Sequence, residues 1–277
     1  RVTNELLLRS GADIGQINTI RRRLSMFKGG GLLRAIAPAH ADTLAISDVV
    51  GDDPATIASG PTVVVDDKPR AAWGIVEVLG IDGSVPPSVA AALRRPPAVS
   101  AVRPVGTYRV VASGAVAAHA AAAAAERRGY PAVVVDTRLE GEASSVAGEV
   151  LDRSSGSVSV YAGETTVTLR GDGIGGRNHE AALTAATLIS GNPDVFFLSA
   201  GTDGIDGGVA AAGACVDGTT VRRARALGRD AATALERNDS GSFFADLDDQ
   251  VITGHTGTNV GDLWLVLRSG RTIRTWT

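Results

Sequence analysis

The sequence predicts an α/β protein built of two domains. Apolar runs of strand length alternate with amphipathic helical segments along most of the chain. A chain of 277 residues, 44% of them hydrophobic, can bury two packed cores. A small polar stretch, Ser154-Ser155-Gly156-Ser157, interrupts the alternation past its midpoint. It marks the expected boundary between a first domain, 1–153, and a second, 157–277.

Composition narrows the function. Charged residues make up 21% and the net charge is −3, so neither disorder nor nucleic acid as the main partner is expected. Of the 27 basic residues only Lys28 and Lys68 are lysine. A single cysteine, Cys215, excludes an internal disulfide framework, suits a reducing cytoplasm and is expected in the interior. Four scattered histidines make no zinc site. No run reaches the ~18 apolar residues of a membrane-spanning helix. The chain opens on Arg1 and its one methionine is Met26; the expectation is a processed start or part of a longer chain.

In chain order, Asn4 to Leu24 reads as two short helices, the first ended by Gly11 and the second capped by Asp13. Lys28 to Gly31 reads as a loop, and Thr43 to Ser47 as a buried strand running into a polar loop, Asp48 to Thr62. Helical patterns follow at Pro69 to Leu79 and Ser88 to Arg95, then a proline-rich crossing from Val85 to Pro104. Tyr108 to Ala112, Ala115 to Arg128 and Ala132 to Val135 read as a βαβ unit closed by Gly129-Tyr130-Pro131. A helix at Ala143 to Asp152 precedes the boundary. Beyond it the expected strands are Val158 to Val160, Thr165 to Leu169, Val195 to Ser199, Gln250 to Ile252 and Leu263 to Leu267. The expected helices are Asn178 to Ile189, Thr219 to Leu227, Asp230 to Arg237 and one around Phe243.

Several loops carry chemistry. Gly171 to Gly176 satisfies G-x-G-x-x-G between a strand and a helix, where backbone N–H groups can meet an anion. A dinucleotide site expects an acid ~20 residues on, at the end of the next strand; the nearest beyond that strand is Asp203, past that spacing. Arg177 opens the helix, and a guanidinium there suits phosphate or carboxylate. Asp48, Asp52 and Asp53 follow a strand, as do Asp203 and Asp206 in a second glycine loop. Such acids hold Mg²⁺, orient hydroxyls, act as bases, or simply cap turns. Thr253 to Asn259 offers hydroxyls and amides for phosphate or sugar-like groups. Arg21-Arg22-Arg23 with Lys28 forms a basic patch before a triple glycine. His119 and His179 read as structural. Neither a Walker A motif nor G-x-S-x-G is present.

Taken in order, Ser10-Gly11-Ala12-Asp13, Ile17-Asn18-Thr19, Lys28-Gly29-Gly30, Ser47 to Thr62, Gly163 to Thr168, Gly175 to Asn178, Thr202 to Gly207, Asn238-Asp239-Ser240 and Thr256 to Val260 resemble the glycerate 2-kinase family with a MOFRL C-terminal domain. Its members are also described as hydroxypyruvate reductases. The resemblance implies two α/β domains with a cleft between them, a Rossmann-like first domain lacking its first part here and the MOFRL domain as the second. It implies phosphorylation of D-glycerate by ATP with Mg²⁺, in the cytoplasm, by a monomer or homodimer with no nucleic acid or membrane partner. Arg177, Asp203 and Glu164 are the implied catalytic residues. Lys28, Asp48, Asp52, Ser59, Gly175, Gly176, Asp206, Thr258 and Asn259 are the implied substrate- and nucleotide-binding residues, with Asp48 and Asp203 on the metal. The alternatives are an NAD(P)H-dependent hydroxypyruvate reductase and an inactive homologue or fragment.

The chain departs from the family pattern in places. The resemblance implies ~100 residues or more ahead of Arg1 on domain-size grounds, with a lysine in a Gly/Ala-rich stretch that neither Lys28 nor Lys68 matches. Ala162 stands where the family has glycine, Ile174 arginine, His179 glutamine, His255 proline and Gly261 asparagine. Gly208-Val209-Ala210 replaces a Pro-Thr-Asp.

Overall fold

The computed structural model describes residues 1–65, 71–95 and 106–269. The chain divides into two compact units, Arg1–Ala45 with Asp52–Val111, and Ile46–Gly51 with Ala112–Thr277. No helix among the described residues is long and apolar enough to cross a membrane.

The first unit contains α1 (Val2–Arg9), α2 (Ile14–Leu24), α3 (Gly31–Ile36), β1 (Ala41–Ile46), α4 (Ala71–Val78), α5 (Pro87–Arg94) and β2 (Gly106–Ala112). Asp13 caps α2 in a reciprocal box: its carboxylate accepts from the Gln16 N–H, and the Gln16 side chain accepts from its own. Gly11, just beyond α1, has φ +73°. Leu7, Ile17, Ile20, Ala72, Val76, Val85 and Leu93 form the core.

Here the structure departs from expectation in two ways. The glycine run Lys28 to Gly31 leads directly into α3, with left-handed Gly30 as its N-cap. β1 is half-exposed, not buried. The first-domain sheet, expected to be incomplete, is represented among the described residues of this unit by β1 paired with β2. Pro69, Arg70 and the proline-rich crossing beyond Arg95 lie outside the described residues.

The second unit contains α6 (Gly114–Arg127), β3 (Ala132–Leu139), α7 (Ala143–Arg153), β4 (Val158–Gly163), α8 (Arg177–Leu188), β5 (Val195–Gly201) and β6 (Gly213–Asp217). It continues with α9 (Thr220–Ala226), α10 (Ala231–Glu236), α11 (Ser240–Phe244), β7 (Gln250–Val251) and β8 (Asp262–Arg268). The sheet order is β3-β4-β8-β5-β6-β7. β3 and β4 are parallel; every other neighbouring pair is antiparallel.

Alternation along β4 and β8 places apolar side chains on both faces. Val158, Val160 and Ala162 pack with Ala118 and Ala122 of α6. Tyr161, Trp264 and Val266 face the other way, into a larger core with α7 and α8. The alanines of α6 and α8 let these helices lie close against the strands.

The expected boundary at 154–156 falls inside this unit. β3 pairs with β4 from Ala132↔Val158 to Leu139↔Gly163, so one sheet runs across it, and the small polar stretch links α7 to β4. The elements of the expected βαβ unit form, but β2 and β3 belong to different sheets; periodicity locates strands and not their partners. Thr165 to Leu169 is not a strand, Thr166 alone bridging to Glu142. β6 was not anticipated, and Cys215 on it is exposed.

Candidate active site

The register of the central strands builds one edge of the sheet. β4 and β5 run the same way on either side of antiparallel β8, and Gly163, Asp262 and Gly201 stand abreast where β4 and β5 end and β8 begins. Loops leaving the carboxyl ends of strands are where α/β sheets bind ligands. Glu164 follows Gly163, Thr202 and Asp203 follow Gly201, and the exposed loop 252–259 leads into Asp262.

Arg177 is the first residue of α8 and reaches this edge. Its Nε donates to Asp262 Oδ2 at 2.7 Å and an Nη to Asp262 Oδ1 at 3.0 Å. The other Nη lies 3.2 Å from Glu164 Oε1. Asp262 is 2% exposed, whereas the Arg177 and Glu164 side chains keep 31% and 45% exposure. Thus one buried carboxylate grips the guanidinium from behind while its outer side stays open.

Burial alone would lower the Arg177 pKa, but the Asp262 hydrogen bonds and the charges of Asp262 and Glu164 outweigh it and raise it. Burial raises the Glu164 carboxyl above its ordinary value; Arg177 opposes this, and the charges of Asp262 and Asp48 add to it.

The loops are tied across the edge. Thr202 Oγ1 and N–H both donate to the Gly261 carbonyl, and Thr202 Oγ1 accepts from the Val260 N–H. The Asp203 carboxylate accepts from the Ile205 N–H, and its carbonyl accepts from the Thr256 N–H. Asn259 Oδ1 accepts from the Gly261 N–H, while its Nδ2 approaches Asp48 Oδ2 at 3.5 Å. Thr258 is exposed and contacts the Thr256 hydroxyl through its backbone. The edge therefore gathers Asp48, Glu164, Arg177, Asp203, Thr258 and Asn259.

Behind it lies a buried polar network. The Asp206 oxygens accept from the Asn178 and His179 N–H groups, supplying to α8 the cap that Gly176 lacks. Asp206 Oδ2 also lies 2.6 Å from His179 Nδ1. Asn178 Nδ2 donates to Asp262, and Asn178 Oδ1 accepts from Ser199 and from Trp264 Nε1. A Cβ on Gly176 would collide with the Asp206 carboxylate. Asp206, named above as a binding residue, is instead 4% exposed and engaged with α8.

The G-x-G-x-x-G loop is also occupied from within. Asn238 Oδ1 accepts from the N–H groups of Arg170 and Gly171, the Arg237 carbonyl from Gly173, and Asp239 Oδ1 from Ile174. Three of the loop's own amides, those of Gly171, Gly173 and Ile174, are thus donated to the protein. Gly175 packs against Ser240 and Gly241.

Lys28, Ser59 and Asp52 belong to the first unit. Lys28 Nζ donates to the Ala58 carbonyl and the Ser59 hydroxyl at 3.1 and 3.3 Å, and Ser59 Oγ donates to buried Asn18. Ala58, Ser59 and Gly60 all have positive φ, 51°, 62° and 62°. Asp52 also sits at positive φ, 55°.

Asp262 and Asn178 were not singled out from sequence. The signal for Asp262 was an acid opening the apolar run Asp262-Leu-Trp-Leu-Val-Leu, which demands a buried partner.

Residues 157–262 match the MOFRL family and residues 1–94 match a domain of unknown function, DUF4147. A protein of Agrobacterium vitis named "Putative hydroxypyruvate reductase" is 40% identical, over 96% of this chain and 72% of its own length. The D-glycerate 2-kinase of Thermotoga maritima is 37% identical, over 93% of this chain and 63% of its own. The glycerate kinase of Macaca fascicularis is 36% identical, over 94% and 80%. A crystal structure of the Thermotoga glycerate kinase superposes with a TM-score of 0.85 over 96% of this chain and 66% of that one. The chain thus spans less than two thirds of the Thermotoga enzyme's length.

Proposed function

Because the chain belongs to the glycerate kinase family that carries the MOFRL domain, we propose that it serves ATP-dependent phosphorylation of D-glycerate to 2-phosphoglycerate. The observation that carries the reading is the open side of Arg177, held by Asp262 and flanked by Glu164 at the carboxyl edge of the central strands. Phosphoryl transfer asks the protein mainly for positioning and for positive charge near the equatorial oxygens. Arg177 supplies that charge or grips the glycerate carboxylate. Asp203 orients the attacking hydroxyl and accepts its proton, and Glu164, Thr258 and Asn259 hold the polar groups around it.

The donor set suits Mg²⁺. Asp48 is exposed and Asp203 partly so, and both offer hard oxygen ligands. No group of three or more His, Cys, Asp or Glu among the described residues is arranged to hold a metal. Mg²⁺ is commonly held by one or two carboxylates and completed by phosphates and water. Asp48 and Asp203 would hold it, and it would neutralise phosphate charge when bound. Lys28 and Ser59, joined to each other, are a polar anchor for substrate or nucleotide in the first unit.

The reductase reading lacks support at its own motif, since three amides of the G-x-G-x-x-G loop, those of Gly171, Gly173 and Ile174, are already donated within the protein. The experiment is a coupled ATP, Mg²⁺ and D-glycerate assay beside titration with NADH and NADPH. Glycerate-dependent ADP release, absent in Arg177→Ala, is expected. NADH-dependent turnover of hydroxypyruvate would overturn the proposal in favour of the reductase, and unchanged turnover in Arg177→Ala would remove the role given to that residue.

A further inference from the structure

We infer that Asp262 is the positioning residue of this site: it fixes the plane and direction of the Arg177 guanidinium without itself touching substrate. The inference rests on the kinase reading for its catalytic consequence and on geometry for the rest.

Two oxygens of one carboxylate meet two nitrogens of the guanidinium at 2.7 and 3.0 Å, a fork that fixes orientation as well as distance. The carboxylate is itself fixed. It opens β8, paired on both sides, abreast of Gly163 and Gly201, and it takes a third hydrogen bond, from Asn178 Nδ2 at 2.9 Å. Arg177 and Asn178 are consecutive at the start of α8, so strand and helix are joined through one acid. With 2% exposure Asp262 is out of reach of a ligand, whereas the other side of Arg177 remains open. Glu164 touches only the far Nη and leaves rotation about the Nε side to Asp262.

The test uses the full chain and two independent readouts. The first is the NMR signal of the Arg177 Nε–H, assigned by its loss in Arg177→Lys. In the wild type it should exchange slowly and show restricted motion. In Asp262→Asn it should become as mobile as that of a surface arginine. The second is kinetics with D-glycerate and ATP. Asp262→Asn should lower kcat by about 100-fold, the scale expected when a reacting group is displaced by ~1 Å, with KM for both substrates changed far less. Circular dichroism checks that the variant is folded.

A folded Asp262→Asn with wild-type kcat would overturn the inference. So would a wild-type Arg177 Nε–H already as mobile as a surface arginine, and this measurement decides the matter even where the variant does not fold. Absence of glycerate phosphorylation in the wild type would count against the kinase reading, and the Nε–H signal would still decide whether Asp262 positions Arg177.

Discussion

At the residue scale, the buried acids of the second unit do different work. Asp206 caps α8 and partners His179, both without solvent. Asp206→Ala should cost about 2–4 kcal/mol, the sum of a lost cap and of buried donors left unmade. Urea unfolding followed by the fluorescence of buried Trp264 would read it, and Asp206→Asn, which keeps one acceptor, should lose less. Glu180 behaves oppositely. Burial, reinforced by the charge of Glu142, outweighs the hydrogen bond from Asn238 and raises its carboxyl above the ordinary 4.5. A raised carboxyl favours the folded state while protonated, so its contribution is present below 4.5 and lost as pH rises through the raised value. Glu180→Gln should therefore unfold at higher urea than wild type at pH 7 and lose that advantage at pH 4. The reverse order would mean that ionised Glu180 supports the fold.

At the element scale, the glycine loop 171–176 is a docked segment held by its neighbours. Asn238, itself at φ 53°, accepts from the Gly171 amide of the loop and from that of Arg170 just before it, and donates to the Thr168 carbonyl. Asn238→Ala should cost about 1–3 kcal/mol through unmet polar groups and should open residues 168–174 to limited proteolysis. Cleavage unchanged from wild type would show that the loop holds itself. This loop also marks how far the sequence could be read. Helices such as α2 were legible because capping residues and apolar spacing are local signals. Arg177, Asp203 and Asn259 were visible as polar residues in or beside glycine-rich loops, whereas Glu164 was pointed to by the family resemblance. What was not legible depended on partners distant in sequence. Nothing near Gly171 announces that Asn238 takes its amide. Nothing near Asp206 tells a capping carboxylate from a binding one, and nothing near β2 says that it joins β1 and not β3.

At the scale of the whole molecule, each compact unit has its own core, Leu7, Ile20, Val76 and Leu93 in one and Tyr161, Phe197, Trp264 and Val266 in the other. A local insult should stay local. Asp13→Ala removes the box that starts α2 and should cost about 1 kcal/mol. Hydrogen exchange should rise in α1, α2, α4 and α5 and stay at wild-type rates in β4, β5 and β8; a uniform rise would show one cooperative unit. The position of β8 has a further consequence, for biosynthesis. β4 and β5 leave the ribosome long before the strand that must lie between them. Until residue 268 has emerged, the two can hold no lasting neighbour there, and their apolar faces wait for a contact spanning roughly a hundred residues, the kind that slows folding. Asp262 arrives with that last strand. A nascent chain stopped short of it would carry Arg177 and Glu164 already made, with nothing yet to aim them.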